Sequence, residues 1–380
     1  MTTRVCRELR LRQFRNFAEL ELSLPAEGVA IIGDNGSGKT NLLEALYYLE
    51  IFRSFRGAPD EQLVRMGEDA FHIRGRLEDL ETGETREITA AYERRTRRKR
   101  VAVNGAVPER IGDALGGVGA VIFSPSDVAI VAGAPSERRR FLDIVLSLNR
   151  PGYLQALQRY RQILKQRNAM LRDGAPAALL AAWDEGLVDW GARLVVARAE
   201  WVAERAAGFA RRYAAIAGGG AARLVYDGAI PVPGAADAPP TADAAAEAFR
   251  AELARVAVRE RERGVTLVGP HRDDLGLTFD TASGEAELRD FGSGGQQRTA
   301  AIALRMIEAE TIREARGRDP IVLLDDLFAE LDPGRSRRIL ELLEADGHGQ
   351  AILTAPKVSD LEPRQGALPH WRIAHGEVFA

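Results

Sequence analysis

Eight residues, GDNGSGKT at 33–40, carry the spacing G-x-x-x-x-G-K-[ST], which lets a backbone wrap a phosphate chain. In such a loop the N–H groups from Asn35 to Thr40 and the N-terminus of the following helix hold a β-phosphate. Gly33, Asp34, Gly36, Ser37, Gly38 and Asn41 complete the nucleotide-binding stretch. Lys39 reaches the β- and γ-phosphates, and the Thr40 hydroxyl ligates Mg²⁺. Lys39 is one of only four lysines (with Lys99, Lys165 and Lys357) among 52 basic residues. A lysine kept where arginine is the habit suits a slot that takes only a compact ammonium.

The segment IVLLDD at 321–326 supplies the natural counterpart. Four apolar residues bury a strand, Asp325 at its end reaches Mg²⁺, and Asp326 polarises the attacking water. A second glycine loop, Ser293, Gly294, Gly295 and Gln296, opens a helix about 260 residues after the first. The first loop already surrounds the phosphates, so a second anion loop for the same γ-phosphate is most simply supplied by another copy of the chain. ATP would then join two copies. Ser293 and Gln296 also have the spacing of a helix capping box. The ELD at 330–332, just after the Asp325 strand, favours the nucleotide role and puts Asp332 in the same set.

Arginine supplies the candidate DNA contacts. RRTRRKR at 94–100 places Arg94, Arg95, Arg97, Arg98, Lys99 and Arg100 in seven positions, and SFRG with the arginine before it adds Arg53 and Arg56. Arg138, Arg139 and Arg140 form a further run. Few aromatics interleave with 94–100, which points to duplex backbone contact rather than base stacking.

The elements that must position these groups follow from periodicity. Residues 7–23 alternate as strands, 28–32 is a buried strand entering the first loop, and Thr40–Leu49 is a helix with Leu42, Leu43, Leu46 and Leu49 on one face. Residues 71–107 read as antiparallel strands with a hairpin signal at Asn104-Gly105, and 120–125 as another buried strand. From 136 to 217 the period becomes helical, with long helices of roughly 20 and 35 residues separated by DGAPAAL. A further helix is expected up to 264, strands over 265–279, a helix over Gln297–Arg316, and buried strands at 320–326 and 350–355. The expected organisation is an α/β ATPase head from 1–135 and 261–380, with an antiparallel β patch and an inserted, mostly helical arm at 136–260.

Composition narrows the class. A net charge of −3 gives no global pull on nucleic acid, so a DNA contact must be local. Cys6 is the only cysteine, and His72, His271, His348, His370 and His375 show no metal-ligand spacing. No stretch has the length and apolarity of a signal or a membrane span, so a cytoplasmic, nucleoid-associated protein is expected.

The order of phosphate loop, Ser-Gly-Gly-Gln, LLDD and AELD resembles the heads of ABC-type ATPases. Among these the chain resembles the RecF family, on LRQFRNFAELEL, GDNGSGKTNLLEALYYL, SFRG, FSPSDVAIVAGAPSERRRFLD, GPHRDDL, GSGGQQR and LLDDLFAELD. These motifs run from residue 11 to 332. The resemblance implies an ATP- and Mg²⁺-dependent DNA-binding protein that dimerises on ATP and recognises gapped or junction DNA. It also implies work with RecR and RecO to load RecA in recombinational repair. The chain departs from the family pattern at Pro125-Ser126, where an acid usually follows the proline, with Asp127 one residue later. Asp326 stands where ABC transporters have Glu, and Thr354 where they have His, so slow, switch-like hydrolysis is expected. A transporter nucleotide-binding subunit fits less well, because the two loops are so far apart. An SMC-like structural ATPase would need longer helices.

Overall fold

The computed structural model describes residues 2–234, 238–347, 349–357, 368–374 and 376–379; His348 and His375 lie outside them. The chain divides into two compact units, Met1–Asp127 with Leu304–Ala380, and Val128–Ala303. Residues 261–303, read from the sequence as part of the head, count with the second unit, and the Ser293–Gln296 loop goes with them.

The first unit holds two sheets. In one, the strands run Glu377–Phe379, His370–Ala374, Gly28–Ile32, Ala351–Ala355, Ile321–Leu324 and Ala120–Phe123 in spatial order, parallel except for the first pair. The four strands at 28–32, 351–355, 321–324 and 120–123 are buried at every residue, which is why they read as apolar runs rather than alternations. The other sheet is built on the antiparallel strands Phe17–Ser23, Thr2–Phe14, Ala70–Asp79, Thr85–Glu93 and Arg98–Val103. Its alternating burial matches the period-two pattern of the sequence.

Two local expectations change. Asn104 and Gly105 do take the left-handed turn, with φ of 51° and 80°, but only an isolated Val103–Ala106 bridge follows. The hairpin turn of this sheet is instead residues 94–97, closed through Arg97 at φ 52°. The helix Lys39–Ile51 is not one-faced. It packs on strands of both sheets and is buried on nearly every side, so Glu44 and Glu50 enter the core as paired carboxylates. Glu44 takes the Arg15 guanidinium in a fork at 2.8 and 3.0 Å. Glu50 accepts from the Val118 and Gly119 N–H groups at 2.9 and 2.7 Å.

The second unit is mostly helical: Pro135–Asn149, Tyr153–Arg172, Ala177–Ala217 and Ala242–Arg263, with a three-stranded sheet of Ala222–Asp227, Asp274–Thr281 and Gly284–Glu287. Ala177–Ala217 is longer than the sequence suggested, 41 residues or about 60 Å, because only Asp173–Pro176 interrupts the helices. Strand structure expected from 265 begins only at Asp274, and Pro270–Arg272 is a 3₁₀ turn. The helix expected from Gln297 begins at Gly294 and runs to Arg316, crossing from the second unit into the first.

Candidate nucleotide site

The strand Gly28–Ile32 delivers the chain into the glycine loop, and Gly38 precedes the helix at φ 113°. A Cβ on Gly38 would lie 2.5 Å from Asn16 Nδ2, so both the conformation and the space demand glycine. Asn16 clamps the loop: its Nδ2 donates to the Ser37 carbonyl at 3.1 Å, and its Oδ1 accepts from Asn41 Nδ2 at 2.8 Å. Asn16 sits in the turn between the first two strands, flanked by Arg15 at φ 54°. Sequence reading assigned it no role; an asparagine in a tight turn was the one available signal.

Lys39 is buried and folded over its own loop, donating to the carbonyls of Gly33 at 2.8 Å and Asp34 at 3.2 Å. Its ammonium is 3.6 Å from the Asp326 carboxylate. Ser37 Oγ is buried with no hydrogen-bond partner. Thr40 donates to Asp325 Oδ1 at 2.8 Å, so the two oxygen groups expected around a divalent ion already meet. Burial, with the neighbouring Asp326 charge, raises the Asp325 carboxyl to about 6 against the bonds from Thr40 and Thr354. A buried carboxylate, a hydroxyl beside it, an orphaned serine and an enclosed ammonium form a donor set that fits Mg²⁺ and a triphosphate.

Asp326, two residues past the strand Ile321–Leu324, is in the left-handed conformation, φ 43°. Its N–H donates to Thr354 Oγ1 at 2.9 Å, and that hydroxyl lies 3.1 Å from Asp326 Oδ1 and 3.3 Å from Asp325 Oδ1. The one hydrogen of the Thr354 hydroxyl is shared between the two carboxylates, with the shorter contact to Asp326. Asp332 caps the helix Pro333–Ala345, accepting from Arg335 N–H at 2.9 Å. Asp127, beside Ser126, accepts from the Ser124 N–H at 2.8 Å and from Arg305 at 2.6 Å, so this acid closes a turn and neutralises a half-buried arginine.

Ser293 and Gln296 form the reciprocal capping box: Gln296 Oε1 accepts from the Ser293 N–H at 2.8 Å, and Ser293 Oγ from the Gln296 N–H at 3.3 Å. Gly294 and Gly295 occupy the first turn of their helix, and a Cβ at Gly294 would meet nothing.

The basic residues separate. Arg94, Arg95, Arg97, Arg98 and Arg100 are exposed around the 94–97 turn, and Arg53 is exposed after the phosphate-loop helix. Lys99 departs from the expected outward role. It faces inward, paired with Asp60 at 2.8 Å, donating to the Phe52 carbonyl and lying 5.3 Å from the Tyr48 ring centroid. Alternation along Arg98–Val103 explains this, since Lys99 shares its side with the buried Val101. Arg56 is 3.4 Å from Asn41 Oδ1, beside the phosphate loop, and its charge acts to lower the Asp325 carboxyl.

The family described as RecF/RecN/SMC N terminal domain matches residues 5–363. The chain is 39% identical to the DNA replication and repair protein RecF of Salinibacter ruber, over 95% of this chain and 87% of that protein. It is 37% identical to RecF of Frankia alni, over 98% of each. Among solved structures, the recombination mediator protein RecF of the RecFOR pathway with ATP aligns at a TM-score of 0.88 and 29% identity, over 99% of this chain and 97% of that one. The Smc head domain from Pyrococcus furiosus bound to the C-terminal domain of ScpA aligns at 0.57 and 14% identity, over 99% and 95% of the chains, a likeness of fold alone.

Proposed function

The chain belongs to the RecF family, and from that premise we propose that it is an ATP-dependent DNA-binding protein of replication and recombinational repair. ATP binding at Gly33–Asn41 joins two copies, and the dimer holds duplex or gapped DNA while partners of the RecR and RecO kind act on it to load RecA. The observation that carries this reading is the meeting of Lys39, Thr40, Asp325, Asp326 and Thr354 around one loop. The RecF–ATP complex aligned above supports the choice of nucleotide.

Bound Mg²⁺ would offset the charge of the β- and γ-phosphates between Thr40 and Asp325. On nucleotide binding Lys39 exchanges its loop carbonyls and Asp326 for phosphate oxygens. Asp326, released from Lys39 but still held by Thr354, orients a water for attack. Its short carboxylate, with a threonine beside it in place of a histidine base, suits slow hydrolysis used as a switch. Ser293 and the first-turn N–H groups of Gly294 and Gly295 contact the γ-phosphate of the partner copy, with the capping box fixing the loop beforehand. DNA backbone contacts come from Arg94, Arg95, Arg97, Arg98 and Arg100, with Arg53. No helix among the described residues is long and apolar enough to cross a membrane.

The test is a gel-shift series on duplex, gapped and single-stranded DNA with and without ATP. Retention of duplex or gapped DNA only with ATP is expected. Equal retention without nucleotide, or a preference for single strands, would overturn the reading.

A further inference from the structure

Two sequence motifs remain without a role in that account, SERRRFLD at 136–143 and GPHRDDL at 269–275. Both lie in the second unit, and there they meet. Arg138 forms a fork with Asp274, two bonds of 2.7 Å. Arg198, wholly buried, joins the motifs by bonding Asp143 at 2.8 Å and Asp273 at 2.7 Å. The Tyr160 hydroxyl is 2.6 Å from His271 Nδ1, while His271 Nε2 is 3.2 Å from the Thr266 carbonyl. A carbonyl only accepts, so Nε2 carries the proton and Tyr160 donates to Nδ1. Gly269 has φ 130°, and a Cβ there would lie 2.4 Å from that tyrosine oxygen, so the glycine of the motif makes room for this pair.

The frame encloses a cleft of about 250 Å³. Four arginines line it, Arg139, Arg140, Arg161 and Arg198, against one carboxylate, Asp143. That carboxylate already accepts from Tyr153, Arg161 and Arg198. Asp273, just behind, takes Arg198, Tyr226 and the Ala229 N–H. Around His271 the charges are positive: burial, with Arg272, Arg139 and Arg198, brings it down to about 4. Arg139 is lowered by burial and the Arg198 charge, against Asp274, Asp273 and Asp143. His271 is therefore neutral at pH 7, and it and Tyr160 are engaged with each other. Leu157 and Leu194 form an apolar wall.

We propose that this cleft binds a phosphate ester. Planar guanidinium forks match phosphate oxygens, and an anion there would offset the cost of holding arginines together in a half-enclosed space. The cleft is wider than a bare phosphate needs, and its apolar wall suits the sugar carbons of a nucleotide or of a nucleic-acid backbone. This inference does not rest on the phosphate loop Gly33–Asn41 or on the DNA-contacting arginines assigned above, which lie in the other unit, and it uses none of the residues Ser293–Gln296.

The probe is ribose 5-phosphate, titrated calorimetrically into the full chain while the phosphate loop is kept filled by a non-hydrolysable ATP analogue and Mg²⁺. One saturable equivalent is expected, weakened about tenfold or more by Arg139→Gln and by Arg161→Gln. Binding of the ATP analogue should be unchanged in both. Arg161 is 61% exposed, so Arg161→Glu carries the test alone if the Arg139 variant fails to fold. Competition by duplex DNA would assign the site to backbone phosphates, and competition by mononucleotides alone to a small ligand. Absence of saturable binding, or equal affinity in wild type and both variants, would overturn the proposal.

Discussion

The Thr354 hydroxyl lies 2.9 Å from the backbone nitrogen of Asp326 and 3.1 Å from its carboxylate, so one side chain fixes both ends of the residue assigned to polarise water. Asp326 is in a left-handed conformation that a non-glycine residue keeps only when its neighbours impose it. Thr354→Val keeps the shape and removes the hydroxyl. ATP hydrolysis should fall about tenfold, the equivalent of one charge-assisted hydrogen bond, with ATP affinity nearly unchanged. Thr354→Ser should restore most of the rate. A Val variant with wild-type turnover would show that the hydroxyl does not position Asp326.

Asn16 predicts a binding defect rather than a rate defect. Asn16→Ala removes the bonds to Ser37 and Asn41 while leaving every group assigned to phosphate in place. Nucleotide affinity should drop roughly 5- to 20-fold, from the loss of a preorganised loop. Fluorescent-nucleotide titration beside Lys39→Met, which should bind none, gives the scale. Unchanged affinity would remove Asn16 from the site.

The basic turn separates into two kinds of residue. Replacing Arg97, Arg98 and Arg100 by Ala should lower DNA affinity for all sequences and reduce the slope of log K against log salt by about one for each phosphate no longer neutralised. ATP binding should survive. Lys99→Ala should do the opposite, leaving the salt slope alone while lowering stability by about 1–3 kcal/mol, since it leaves Asp60 without its ion pair. An unchanged slope in the triple variant would move the DNA-binding face away from this turn.

His271 gives the second unit an acid sensitivity. Its pKa is about 4 in the fold, against 6.5 for a free histidine, chiefly through burial. Between these values the unfolded chain binds a proton that the folded chain does not. The group therefore leaves stability untouched above about pH 6.5 and lowers it as pH falls toward 4, by up to about 3 kcal/mol. Urea unfolding of wild type and His271→Gln at pH 7 and pH 4.5 checks this. The variant should lose less stability on acidification, and parallel losses would contradict the assignment.

Much of this was legible because the relevant patterns are local. The phosphate loop, the buried strands and the alternating sheet each follow from neighbouring residues, so Gly33–Asn41 and Asp325 could be located by spacing. What could not be read depends on long-range neighbours. Nothing near Asn16 in the chain announces that it will clamp residues 37–41. Lys99 sits in a run of six basic residues, and only the register of its strand turns it inward. The Thr40–Leu49 helix showed one leucine face in the sequence, and only strands of both sheets closing on it bury Glu44 and Glu50 as well. Ser293–Gln296 keeps two meanings in one chain, because its capping box is formed locally while its proposed ligand belongs to another copy.

Mixing two inactive proteins tests whether Lys39 of one copy and Ser293 of the other share one ATP. Lys39→Met disables the phosphate loop, and Ser293→Arg fills the contact surface of the second loop while leaving Gly33–Thr40 intact. Each alone should fail to hydrolyse ATP, and the Ser293→Arg chain should still bind it with near wild-type affinity. A heterodimer has one complete site, with Lys39 from one chain and Ser293 from the other, so ATPase activity should return on mixing, in proportion to the heterodimer formed. Loss of ATP affinity in the Ser293→Arg monomer, or no recovery with the heterodimer shown to be present, would contradict a site shared between two copies.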